Sequence, residues 1–300
     1  MFSPDWKVTL IILTVTTISG ITTNSFVAVV SVLDQRRCFS LSPRKQIQFS
    51  MVLVNVILQS LLTSEGYRGL YSTHAWWSRE SCISVIFLMH FTINLSFWLT
   101  TWLGVFYCVT IVNFKHTFIT QVKMRLPAVV PKILLVTTLV SFISNAPVIF
   151  DVHLENQHNM TYNNIRNGGE SCLIPLHYAI IYIIYGCFVP FIITLASIGC
   201  IVVSLMTHVH RAKLSNSTLS APQLQAHYRA CRTMILFLIL FVIFNVSEMI
   251  FVSSLLSTRD IQNFIMWVFI LLYPTSQAAI LIMGSANLKT AFVRIVQCNK

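Results

Sequence analysis

Ser96 to His116 reads SFWLTTWLGVFYCVTIVNFKH, and the way this stretch is read decides the fold. It holds no Asp, Glu, Lys or Arg before Lys115. A helix needs roughly 20 apolar residues to cross about 30 Å of hydrocarbon, so this run is of spanning length, although one buried helix in a soluble core would also accommodate it. Composition separates the two readings. The chain of 300 residues is 55% hydrophobic and 10% charged, whereas soluble domains carry about 25% charged residues. A mean hydropathy of +0.73 cannot be hidden inside a core of this size, so the solvent is a bilayer.

Working outward from that stretch, apolar runs of spanning length fall at about 8–33, 47–66, 82–112, 129–150, 176–207, 231–256 and 263–284. These predict an all-α membrane protein, a seven-transmembrane helix bundle forming one domain over residues 1–300. The second run is the weakest, because Glu65 and Arg68 arrive early, and it is expected to pass into a partly polar turn. The first run lacks the basic flank and cleavage site of a removable leader and is expected to insert as its own signal.

An odd number of spans places the termini on opposite sides, and Lys and Arg decide which is which. Of the 20 basic residues, only Lys7, Arg68, Arg79, Arg166 and Arg259 fall with the N-terminus, together with Asp5, Glu65, Glu80, Asp151, Glu155, Glu170 and Asp260. The N-terminus is therefore expected outside and the C-terminus in the cytoplasm. The net charge of +11 is a topology signal, and its distribution around the span ends argues against a nucleic-acid partner. Asn159, in Asn159-Met160-Thr161, is the one glycosylation sequon on the outer side; those at Asn94 and Asn245 lie in spans and that at Asn216 lies inside. Cys82 and Cys172 are the two external cysteines. In an oxidising compartment such thiols pair, and the alternative is two free buried cysteines.

Within the spans, Asn24 and Asn55 are placed to hydrogen-bond across the first and second helices. Pro147, Pro190 and Pro274 remove backbone donors from the fourth, fifth and seventh spans, which either neighbours accommodate or a hinge exploits. Glu248 is the one acid well inside a span. An intramembrane carboxylate needs a wet cavity or a partner, so Glu248 either orients a polar ligand or is protonated against a neighbouring helix. Met89, Ile93 and Phe97 recur every four residues and share one face of the third helix. No P-loop, His-Glu-x-x-His, Cys-x-x-Cys or Gly-x-Ser-x-Gly occurs, and the nine histidines do not cluster. The sequence thus predicts no enzyme, no metal site and no cofactor.

Asp-Arg-Tyr and Asn-Pro-x-x-Tyr, the signatures of rhodopsin-class receptors, are absent. Instead the third span resembles that of the type 2 taste receptors, the bitter taste receptors. Their pattern Trp-x-Ala-Thr-Cys-Leu-x-x-Phe-Tyr-x-x-Lys-Ile-Ala-Asn-Phe is matched by Trp98, Thr101, Leu103, Phe106, Tyr107, Ile111, Asn113 and Phe114, with Thr100, Trp102, Thr110 and Val112 as substitutions. The resemblance continues at Gly20-x-x-x-Asn24-x-Phe26, at Pro190-Phe191, Leu195, Ser204-Leu205 and His208, at His227-x-x-Ala230-x-Arg232, and at Tyr273-Pro274 and Leu288-Lys289. Asn55 stands where the family often has Arg, Gln277-Ala278 where it often has His-Ser, and Ser285 where it often has Asn. These departures mark a divergent member, or a related chemosensory receptor such as a vomeronasal type 1 (pheromone) receptor.

The resemblance implies a G-protein-coupled receptor of the plasma membrane that detects small bitter compounds and activates a gustducin-like heterotrimeric G protein. It implies a ligand site among the outer halves of spans three, five, six and seven, for which Met89, Ile93, Phe97, Tyr182, Phe244 and Glu248 are the candidates. Many relatives carry Trp and Asn where Met89 and Ile93 stand, so a more apolar floor and greasier ligands are expected. On the cytoplasmic side it implies Tyr107, Asn113, His208 and His227 as the residues read by the G protein. A channel or transporter fits less well, because no internal repeat is present.

Overall fold

The structure, a computed structural model, describes residues 6–38, 42–71, 79–112, 117–151, 153–156, 170–173, 176–214, 221–254 and 260–298. The long helices are α1 (Trp6–Cys38), α2 (Pro43–Tyr71), α3 (Arg79–Ile111) and α4 (Thr117–Asn145). A five-residue α5 (Pro147–Asp151) is followed by β1 (His153–Asn156) and β2 (Glu170–Leu173). Then come α6 (Leu176–Ile181), a π-helical segment (Tyr182–Phe188), α7 (Val189–Leu214), α8 (Ala221–Ser254), α9 (Asp260–Gly284) and α10 (Ala286–Cys298). Among the described residues, seven helical stretches are long and apolar enough to cross a membrane, which is the number expected.

Side-chain pairs between helices fix the direction of each span. Thr17 meets Thr63 and Asn24 meets Asn55, so α1 and α2 run antiparallel. Asn94 meets Ser141 and Trp102 meets Thr137, so α3 and α4 do too. Thr101 meets Thr194, and an added Cβ on Gly104 would lie 3.8 Å from that of Ser197, so α3 and α7 run parallel. The bundle alternates up and down, as short connections between spanning helices require.

Its packing is inverted relative to a soluble bundle. On α1, Ile11, Val15 and Ile18 are exposed while Thr9, Thr16 and Asn24 are buried. Aliphatic surface costs nothing against lipid tails, so the interior goes to close packing and to polar groups that need partners. Two large apolar clusters and a small third one (Phe87, Val148 and Tyr178) result among the described residues. One large cluster, towards the start of α1, contains Leu13, Leu58, Ile93, Phe97, Phe244 and Leu271. The other, towards the opposite end, contains Val27, Met51, Leu103, Met234, Phe237 and Leu281. The buried polar groups Asn24, Asn55, Ser96, Thr100 and Gln277 occupy neighbouring positions along the same helices.

Four features depart from the expected outline. Helix α2 continues through Glu65 and Arg68 to Tyr71 instead of turning, because those residues form an ion pair one turn apart and the helix packs closely there. A Cβ on Gly66 would stand 2.7 Å from Leu13 and 2.8 Å from Trp267. Helix α4 begins at Thr117, well before the apolar run, and carries Pro127 and Pro131 inside it. Pro147 does not kink the fourth span but restarts it: Ala146 forms a turn, and Pro147 occupies the first position of α5, where a missing N–H costs little. The long loop, finally, carries a two-stranded antiparallel ladder in which Leu154 faces Cys172.

Candidate functional site

The site is built where the fifth span leaves ordinary α-helical geometry. From Tyr182 to Phe188 the backbone is π-helical, closed by the Val189 N–H bonding to the Ile184 carbonyl five residues back. Such segments are rare and are frequently found at functional sites. The wider turn lets Gly186 press on α3, where an added Cβ would lie 3.2 Å from the Asn94 amide nitrogen. Immediately beyond, Thr101 donates to the Pro190 carbonyl at 3.2 Å. That carbonyl therefore has a partner on α3, and the proline sits at the junction where the π-helical segment gives way to α-helix.

This register brings Tyr178 and Tyr182 to α3. The Tyr182 ring lies 4.6 Å from the ring of His90, and its hydroxyl donates to Glu248 Oε1 on α8 at 3.2 Å. Tyr178 is buried, and its hydroxyl donates to Asn145 Oδ1 at 2.7 Å and meets His90 Nδ1 at 3.2 Å. The amide nitrogen of Asn145 donates to the Ser141 carbonyl, which identifies Oδ1 as the acceptor. With the Tyr178 proton so committed, His90 Nδ1 is left as a donor, and a neutral ring keeps Nε2 as an acceptor. A chain of contacts thus runs by hydrogen bonds from α4 through Tyr178 to His90, across a ring contact to Tyr182, and on to the carboxylate of Glu248.

Beneath that chain the site is aromatic. Phe97 packs against Phe241 at 4.4 Å and edge-on to Phe244 at 5.5 Å, and Phe244 lies 4.3 Å from Tyr273. All six residues expected to bind ligand are therefore brought to one region: Met89, Ile93, Phe97, Tyr182 and Phe244 share an apolar cluster, and Glu248 joins it through Tyr182. They divide into two groups. Ile93, Phe97 and Phe244 are fully packed and form a floor, whereas Met89, Tyr182 and Glu248 are half-buried. Sequence reasoning missed His90, Tyr178 and Asn145. Tyr178 and Tyr182 are four residues apart on one helical face, a signal that the apolar run concealed.

Below the floor, α3 and α9 are tied by a buried network. Ser96 meets the Tyr273 hydroxyl at 3.2 Å and donates to Gln277 Oε1 at 3.3 Å. Gln277 Nε2 donates to Thr100 at 2.8 Å and to Tyr273 at 3.2 Å. The expected pairing of the two asparagines is present as well: Asn55 donates to Asn24 at 3.1 Å, and Asn24 in turn donates to the Pro274 carbonyl at 3.2 Å. The helix carrying Pro274 is thereby held to α1.

At the opposite end Tyr107 is buried and accepts a hydrogen bond from Arg44, tying α3 to the start of α2. Asn113 and Asn159 lie outside the described residues, as do the side chains of His208 on α7, His227 on α8, Cys82 on α3 and Cys172 on β2. Among the described residues no group of three or more His, Cys, Asp or Glu is placed to hold a metal ion.

Replacing Tyr178 by phenylalanine is expected to leave Asn145 Oδ1 and His90 Nδ1 without this partner and to destabilise the bundle by about 0.6–1.7 kcal/mol, the range of interhelical hydrogen bonds in membranes. Heat inactivation of the solubilised protein measures it. A variant as heat-stable as the parent would mean that the hydroxyl is not engaged.

The profile of the family described as taste receptor protein (TAS2R) matches residues 1–300. Among similar proteins, taste receptor type 2 member 9 of Macaca mulatta is 27% identical over 292 residues, covering 93% of this chain and 89% of its own. Taste receptor type 2 member 8 of Gorilla gorilla gorilla is 28% identical over 312 residues, covering 100% and 98%. The human member 8 is 27% identical over 307 residues with the same coverage. A match over the full length, on seven spanning helices whose third carries the family's aromatic pattern, has one meaning: the chain belongs to the TAS2R taste receptor family, a multi-pass membrane receptor of bitter taste and not an enzyme.

Proposed function

We propose that this receptor, a single domain over residues 1–300 with its N-terminus outside and its tail in the cytoplasm, detects small, largely apolar bitter molecules and activates a gustducin-like heterotrimeric G protein. The observation that carries the ligand reading is the Tyr182–Glu248 hydrogen bond beside an aromatic floor. Sites for small molecules are mostly apolar with a few placed polar groups, and this arrangement has that character. Met89 and Ile93 supply aliphatic surface, which favours greasy ligands, while Glu248 supplies a handle for a basic nitrogen.

Ligand can shift the bundle only by binding its active packing better than its resting one. The floor residues Phe97 and Phe244 touch Tyr273, and Tyr273 is joined to the α3–α9 network. A ligand that displaces Phe244 therefore acts on Tyr273 directly. The output lies at the opposite end, near Tyr107, Asn113, His208 and His227, where basic connections suit an acidic partner or anionic lipid. A disulfide between Cys82 and Cys172 and a glycan on Asn159 belong to the same reading of the outer side.

Glu248→Gln keeps the volume and an acceptor for Tyr182 but removes the charge. A hydrogen bond to a charged partner contributes about 1.5 kcal/mol or more, so the half-maximal concentration of cationic agonists is expected to rise roughly tenfold, with neutral agonists little changed. Calcium release in cells carrying a chimeric G protein reads both ligand sets. Parallel dose-response curves for the two would remove Glu248 from the site. Silence across a broad bitter panel, with responses to pheromones, would overturn the bitter reading itself.

A further inference from the structure

The seam between α3 and α7 is lined by small residues that bring the two helices into direct contact. Thr101 bonds Thr194 hydroxyl to hydroxyl at 3.0 Å. Three residues further along each helix, Gly104 faces Ser197, where a Cβ on the glycine would stand 3.8 Å from the serine Cβ. One turn further on the same faces come Cys108 and Cys200, which are both free and whose thiols lie close enough to interact. Disulfides need Cβ atoms about 3.5–4.5 Å apart. The spacing already reached at Gly104 and Ser197 falls within that range, on a seam that the two thiols continue.

We propose that Cys108 and Cys200 are a thiol oxidation site that closes to a reversible disulfide between the third and fifth spans. The two cysteines differ in exposure, Cys200 being exposed and Cys108 buried. They lie three and four residues from the ends of their spans at Ile111 and Ser204, about one helical turn from water. With hydrogen peroxide as oxidant, the exposed Cys200 sulfur attacks one peroxide oxygen, the O–O bond breaks, and sulfenic acid forms as the first water leaves. The Cys108 sulfur then attacks the sulfenic sulfur, the S–O bond breaks, and the second water leaves with the remaining thiol proton. Two thiols and one peroxide give one disulfide and two waters, and a thiol such as glutathione reverses the step by exchange.

The bond holds α3 and α7 at their present separation at the end of the bundle opposite the ligand floor. Any packing change that parts these helices is blocked while it is closed. This consequence for signalling rests on the receptor reading above; the chemistry of the pair does not.

The test uses the full-length receptor in cell membranes. After hydrogen peroxide treatment, free thiols are alkylated and peptides are mapped by mass spectrometry without reduction. The expected result is a Cys108–Cys200 linked peptide, abolished by reductant and absent from Cys200→Ser and from Cys108→Ala. Recovery of both cysteines as alkylated thiols after peroxide overturns the proposal, whether or not an agonist is known. In the functional arm, peroxide lowers the agonist response of the parent severalfold, reductant restores it, and Cys200→Ser is insensitive. Inhibition that persists in a Cys200→Ser receptor delivered to the surface assigns the effect to another thiol and overturns the regulatory role.

Discussion

Phe244→Ala is expected to cost the bundle about 2–3 kcal/mol and to abolish the agonist response. The side chain is fully buried between Phe97 and Tyr273, 5.5 and 4.3 Å from their rings. In soluble cores Phe→Ala costs about 3–5 kcal/mol, the sum of a transfer term and a cavity term. Lipid tails are as apolar as the core, so most of the transfer term vanishes here and the loss is chiefly that of packing and ring contacts. The measurement is heat inactivation of the solubilised receptor beside the dose-response curve, with Phe244→Leu as a companion that refills most of the space. The two readouts separate the roles of the residue. If Phe244→Leu regains heat stability but not the response, the ring itself transmits ligand binding to Tyr273. A Phe244→Ala receptor with parental stability and response would remove Phe244 from the floor altogether.

The seven spans were legible because hydrocarbon imposes one rule, a long apolar run, that a sequence displays without reference to anything else. The same holds for the Asn24–Asn55 bond, since an amide inside a span has few choices of partner. Met89, Ile93 and Phe97 were legible as a face through their spacing alone. Where the structure departs from the sequence reading, the cause is tertiary. The continuation of α2 past Glu65 depends on an ion pair and on Gly66 fitting against Leu13 and Trp267. Neither contact has a signature in the run itself.

The π-helical turn was the costlier omission. Tyr182 to Phe188 is as apolar as its neighbours, and the pattern of a lipid-facing helix is too uniform to reveal one residue of slippage. Yet that slippage is what places Tyr178 and Tyr182 against His90. His90 was passed over because a lone histidine in an apolar helix has no motif around it; its role comes from Asn145 and Tyr178, which lie 55 and 88 positions further along the chain. Polar chemistry inside a bundle is distributed over helices, so the chain order hides it.

Gln277→Leu is expected to raise agonist-independent signalling by roughly tenfold while costing the bundle no more than about 1.7 kcal/mol. Gln277 is buried and bonds Ser96, Thr100 and Tyr273, so it is the hub through which α9 is held to α3. Leucine matches its size but offers no polar atom. Thr100 keeps a partner in the Ser96 carbonyl at 2.9 Å, and Ser96 and Tyr273 keep each other at 3.2 Å, so no hydroxyl is orphaned. The loss is therefore the interhelical tie itself, about 0.6–1.7 kcal/mol in membranes. If the tie belongs to the resting packing alone, its removal shifts the equilibrium towards the active one by the same amount, and about 1.4 kcal/mol is tenfold. The readout is basal second messenger, normalised to receptor at the surface, for the parent, Gln277→Leu and Gln277→Glu, the last keeping the acceptor for Ser96. Elevated basal signalling in Gln277→Leu with partial return in Gln277→Glu identifies the network as a brake. Unchanged basal signalling together with lower heat stability would mean that the tie is made equally in both packings, in which case ligand at the floor must act through a different helix pair.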